Sequence, residues 1–203
     1  KHIAGFSLLL GESWDLIPLE IDPPDHSRYR TRLNPLFSPK KIAAITESVM
    51  GVAAQLVDEI LRKGECDFVE DFGRPFPVLV LLRLIGLPLD ELDRFMGWED
   101  DLLRGSSVEK RIAAAAGIKA YLVDVIARRR RAPADDFVTY AATLEIDGKP
   151  LSDEEVLGIV YLLFVGGLDT VASVLGFVFK HLAENPDQQR ELRDDPSLIP
   201  DAI

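Results

Sequence analysis

Ser152-Asp153-Glu154-Glu155 opens a run that ends at Asn185-Pro186, and its centre reads Val165-Gly166-Gly167-Leu168-Asp169-Thr170. Ser152 followed three residues later by Glu155 forms a capping box, and Pro186 cannot continue a helix. Residues 152–185 therefore predict one helix, roughly 50 Å long at 1.5 Å per residue. From Val156 to Phe179 the only charge is Asp169. A helix apolar on all sides belongs either in a bilayer or at the centre of a large soluble fold. One aspartate at a bilayer centre costs on the order of 2.5–3.5 kcal/mol, so hydropathy alone leaves a span at 156–179 open. The flanks favour a soluble core helix: three acids stand at one end, Lys180 and His181 near the other, with no aromatic belt. Two adjacent glycines in a helix interior each cost roughly 1 kcal/mol against alanine. Close helix packing explains them in one way. In the other, they open a groove where something flat or small meets the backbone, beside an acid and a hydroxyl able to pass protons.

Outward from this run the chain is mainly α. Asp22-Pro23-Pro24-Asp25 closes an irregular segment, and a short basic helix is predicted over 25–34, stopped by Asn34-Pro35. Apolar residues at Ile42, Ile45, Val49, Val52, Leu56 and Ile60 predict a helix over 39–63, with Gly64 as its cap. Cys66 to Val69 reads as a short strand. Further helices are predicted at 74–86, 90–103, 108–131 and 135–143, and residues 144–150 as a hairpin around an Asp-Gly turn. Apolar residues make up 47% and charged residues 28%, the balance of a globular protein. A net charge of −11 argues against nucleic acid and anionic membrane as partners. One cysteine rules out an internal disulfide and favours a cytoplasmic location. The start lacks an initiator Met and the end stops as a helix begins, so both ends read as truncations of a single domain spanning 1–203.

Gly166-Gly167-Leu168-Asp169-Thr170 resembles the central-helix motif of the cytochrome P450 family, haem-thiolate monooxygenases. The resemblance implies that Gly166 and Gly167 form the oxygen-binding groove over haem b, that Thr170 holds dioxygen and that Asp169 relays protons. Asp22-Pro23-Pro24-Asp25-His26-Ser27-Arg28-Tyr29-Arg30 resembles the opening of the family's third main helix. There His26 and Arg30, four residues apart on one face, would bind a haem propionate. A plain solvated basic helix is the alternative.

Gly11-Glu12-Ser13-Trp14-Asp15-Leu16-Ile17-Pro18, the stretch 66–77 and Leu163-Phe164-Val165 are similar to the bacterial camphor-hydroxylase branch of the family. The resemblance implies that Trp14, Leu16, Leu19, Leu162 and Val165 border a substrate pocket, Trp14 standing where that branch carries a tyrosine. Indole N–H also donates, but from another place, so the substrate implied is small and hydrophobic, terpenoid-like, rather than camphor. Core packing explains the same residues equally well.

Cys66 lacks the setting of the family's thiolate loop, so no axial metal ligand is present in this chain, and activity is expected only from a longer protein. Arg128 to Arg131 ends a helix, where cations complement the dipole. Between His26 and Lys41 five Lys or Arg stand with no acid. A basic patch on an acidic protein suits an acidic partner, which the resemblance makes a ferredoxin or reductase. A helical ligand-binding module without redox chemistry remains the alternative from another class.

Overall fold

A computed structural model describes residues 12–202 and shows an α-helical protein with one two-stranded sheet. Helix α1 spans Asp25–Leu33 and leads into a 3₁₀ turn at Asn34–Phe37; α2 spans Pro39–Lys63. Then follow α3 (Pro75–Ile85), α4 (Leu92–Glu99), α5 (Val108–Arg131) and α6 (Phe137–Ala142). Strands β1 (Glu145–Ile146) and β2 (Lys149–Pro150) pair antiparallel, with Ile146 opposite Lys149. Asp147 and Gly148, with φ of 54° and 74°, make the left-handed turn that an Asp-Gly pair favours.

The long run is two helices, α7 (Asp153–Leu168) and α8 (Thr170–Glu184), separated by Asp169. The capping box at its start is present: Ser152 Oγ accepts from Glu155 N, and Glu155 accepts from Ser152 N. Helices α9 (Pro186–Asp194) and α10 (Ile199–Ala202) complete the chain.

Cys66 to Val69 is not a strand. Asp67 Oδ1 accepts from the amides of Val69 and Glu70, capping a turn that runs as a π-helix over Val69–Gly73. A local side-chain cap outcompetes the weak β-propensity of four residues. The helix predicted at 90–103 is likewise divided, into α4 and a π-turn over Asp100–Arg104.

One apolar core unites α3, α5, α6, α7 and the segment Trp14–Ile17. Ile118, Leu122, Val156, Val160, Phe164 and Leu168 are fully buried in it. Val52 and Leu56 of α2 pack on Leu79 of α3 in a smaller cluster. The segment at 14–17 lies across α7 at Gly158, where an added Cβ would stand 2.3 Å from the Asp15 carbonyl oxygen. Only glycine permits that crossing.

The arginine run at the end of α5 is built into the fold. Arg129 donates to Asp136 at 2.5 Å and to the Gly86 carbonyl at 2.7 Å. Arg128 pairs with Asp124, and Arg130 with Asp153.

Candidate functional site around Gly166 and Thr170

Gly158, Leu162, Gly166 and Thr170 are spaced by four, so they form one row along the central helix, roughly 18 Å from end to end. The row begins under the crossing segment and ends at the break. Gly166 is exposed, and a Cβ placed on it would meet nothing within 4 Å. Gly167 is turned the other way: a Cβ there would stand 3.0 Å from Leu81 Cδ1. The two glycines thus serve different ends. Gly167 lets α3 pack closely on α7, whereas Gly166 leaves the open side of the helix bare.

At the break, Asp169 adopts φ −111° and ψ −28°. Thr170 Oγ1 donates to the Gly166 carbonyl at 2.8 Å, so the hydroxyl is tied back along the helix one turn after Gly166, with its lone pairs unused among the described residues. Asp169 Oδ1 accepts from Arg104 Nη2, and Oδ2 accepts from Ser173 Oγ at 3.3 Å. Its side chain is 36% exposed, so it reaches water as well as Arg104.

The other predicted residues are distributed as follows. Trp14 and Leu16 are buried beside Gly158; Trp14 packs edge-on against Tyr161 with centroids 5.1 Å apart. The Trp14 indole N–H donates to Glu12 at 2.7 Å, and Lys119 holds the same carboxylate. Leu162 and Val165 are half-buried at the edge of the core, and Leu19 is 66% exposed. His26 is half-buried and Arg30 exposed on α1, and neither side chain has a hydrogen bond or ion pair among the described residues. Helix α1 joins the central helix through Tyr29, whose hydroxyl donates to Glu155 in the capping box. Burial, then this bond to a carboxylate, pushes the Tyr29 phenol up to about 12. Arg28 pairs with Asp25 and Asp147, whereas Arg30, Arg32, Lys40 and Lys41 have no acidic partner among the described residues.

Gly166 offers bare backbone, with a hydroxyl one turn on at Thr170 and an acid at Asp169, which suits close approach of a flat cofactor; His26 and Arg30 stand on α1, which meets the central helix at Glu155. These residues offer no ligand for an iron on the cofactor's far side. Cys66 is exposed on the loop after α2, and no cluster of metal-ligating side chains exists among the described residues.

The stretch Asp153–Glu184 is long and apolar enough to cross a membrane. Its first half is nevertheless packed among α3, α5 and α6, and its one mid-helix charge is paired with Arg104.

Gly158, Arg104 and Glu99 carry no signal of a role in the sequence. A glycine four residues before Leu162 looks like any other, and Arg104 lies 65 residues from the acid it meets.

Comparison with known proteins points to one family. The family model for cytochrome P450 matches residues 99–198. A probable cytochrome P450 127A1 from Sinorhizobium fredii is 43% identical over 98% of this chain and 48% of its own length. Cytochrome P450 107B1 from Saccharopolyspora erythraea is 34% identical over 100% of this chain and 51% of its own. The crystal structure of CYP101J2 superposes with a TM-score of 0.80 at 35% identity, over 92% of this chain and 46% of that one. The chain thus spans about half the length of the relatives it matches.

Proposed function

The chain belongs to the cytochrome P450 family, and from that premise we propose that it is the central portion of a single-domain, soluble, cytoplasmic monooxygenase that hydroxylates a small apolar substrate. The observation that carries this reading is the open face of Gly166, with the Thr170 hydroxyl bonded back to the Gly166 carbonyl and Asp169 at the helix break next to it. Haem b, when bound, supplies dioxygen activation and substrate oxidation. This chain's residues position and protonate. Gly166 lets a small ligand approach the backbone. The Thr170 proton is committed to the Gly166 carbonyl, so its oxygen is free to accept a hydrogen bond from what lies below. Asp169, reaching both water and the edge of the groove, takes protons from solvent and passes them inward. His26 and Arg30 hold a propionate from α1. Trp14, Leu16, Leu19, Leu162 and Val165 are the residues assigned to the apolar substrate side; of these Trp14 and Leu16 are buried and Leu19 is exposed. The unpaired cations Arg30, Arg32, Lys40 and Lys41 receive an acidic ferredoxin or reductase.

The test uses the full-length enzyme with its redox partner. Asp169→Asn is expected to slow turnover by about 10²-fold or more, the usual contribution of a positioned proton donor. Thr170→Ala is expected to consume reducing equivalents at a near-native rate while releasing peroxide in place of product. Native rate and native coupling in both variants would overturn the assignment.

A further inference from the structure

Among the described residues one charged side chain lies wholly inside the protein: Glu99, with 0% exposure. It ends α4, directly before the π-turn that carries Arg104. Glu99 Oε1 accepts from Arg104 Nη1 at 2.7 Å. Its other oxygen, Oε2, is buried without a hydrogen bond and lies 3.8 Å from Arg74 Nη2. Arg74 itself donates to Asp100 at 2.6 Å and to Glu70 at 3.0 Å. Arg104 also lies 3.5 Å from Asp100, and its second nitrogen, Nη2, holds Asp169. Two guanidinium groups therefore serve four carboxylates, and Arg104 is divided between one that is buried and one at the helix break. An unsatisfied buried carboxylate oxygen is costly to keep. Packing alone would be served better by an apolar residue. Burial pushes the Glu99 carboxyl up, and the two arginines pull it back.

From this arrangement we infer that Glu99 is a positioning residue. It fixes Arg104 from inside the core and shares the guanidinium with Asp169, so the hold on Asp169 is set from behind. The inference rests on Asp169 being the functional acid, and only its consequence for turnover depends on that. When Glu99 loses its charge, Arg104 keeps its orientation through a neutral acceptor but has one fewer buried carboxylate to satisfy. Its full charge then falls on Asp169 and Asp100. Asp169 is gripped more tightly and turns toward the groove less readily.

A double-mutant cycle in the full-length holoenzyme tests this, with Glu99→Gln, Asp169→Asn and the pair compared by denaturant unfolding. Groups that share one partner couple, whereas independent sites add. Asp169→Asn is expected to lower the folding equilibrium at least about fivefold more in the Glu99→Gln background than in the native one. Equal effects in both backgrounds would overturn the inference. Should Glu99→Gln not fold, Glu99→Asp replaces it; that carboxylate is withdrawn by one methylene, and the same excess is expected. A second arm reads turnover: Glu99→Gln is expected to lower kcat several-fold with KM unchanged, and to have no further effect once Asp169 is Asn. Coupling in unfolding with an unchanged kcat would keep the shared guanidinium and sink the proton-relay reading. Additive unfolding sinks the positioning role whatever kcat does.

Discussion

Gly158 and Gly166 sit two turns apart on one row, and their surroundings predict opposite responses to the same substitution. A methyl at Gly158 would drive into the Asp15 carbonyl, 2.3 Å away, and push the Trp14–Ile17 segment off the central helix. Gly158→Ala is expected to destabilise the protein by about 1–3 kcal/mol, the usual cost of overpacking, visible as a lower denaturation midpoint. Gly166→Ala meets open space, so folding is expected to gain up to about 1 kcal/mol from helix propensity. A loss there as large as at Gly158 would mean that Gly166 is a packing residue after all. Tyr29 predicts a pH response. Its folded phenol is raised to about 12, by burial first and by Glu155 second, against about 10 in the unfolded chain. The neutral form is therefore favoured by folding. Its contribution is whole below pH of about 10 and is lost as pH rises toward about 12. Tyr29→Phe is expected to flatten the alkaline fall in stability across that window; an unchanged slope would place the cause elsewhere. Of the functional candidates, Gly166, Asp169 and Thr170 were legible because paired glycines and a lone charge violate local helix preference without local reward. Glu99 was not, because Glu99-Asp100-Asp101 reads as a solvated acidic turn, and only the tertiary fold swallows its first member.

Helix α7 has its start written locally, and the break after it is not. Ser152 and Glu155 suffice for the capping box, so Ser152→Ala is expected to cost about 1 kcal/mol in thermal or denaturant unfolding. A negligible cost would show that tertiary packing alone holds that end. Nothing between Leu168 and Thr170 forbids a helix, and a continuous one was the natural expectation. The interruption coincides with two interactions: Arg104 holds the Asp169 side chain, and Thr170 bonds back to the Gly166 carbonyl. Side-chain bonding of this kind bends helices. The segment at 66–69 erred for the converse reason, a local cap at Asp67 that the apolar pattern did not weigh. The hairpin, by contrast, followed from Asp147-Gly148 alone, since few other pairs accept two positive φ angles.

At the scale of the molecule, the −11 charge and the local cationic helix α1 divide the surface by sign. Arg28 is already balanced by Asp25 and Asp147, so Arg32 is the sharper probe of partner docking. Arg32→Glu is expected to slow reduction by an acidic donor at low salt and to converge on the native rate as salt is raised. A salt-independent defect would point away from docking. Cys66, exposed on the loop after α2, is expected to be dispensable: Cys66→Ala in the full-length protein should leave the spectrum of the reduced, CO-bound form unchanged. The central claim is that the bare side of Gly166 faces the haem and its small diatomic ligand. Measuring CO affinity of the reduced full-length protein with Gly166→Val tests it most directly, because the structure leaves that side open to a larger residue. A fall of about tenfold or more with folding stability intact is the expected result. Native CO affinity in a folded Gly166→Val protein would contradict it.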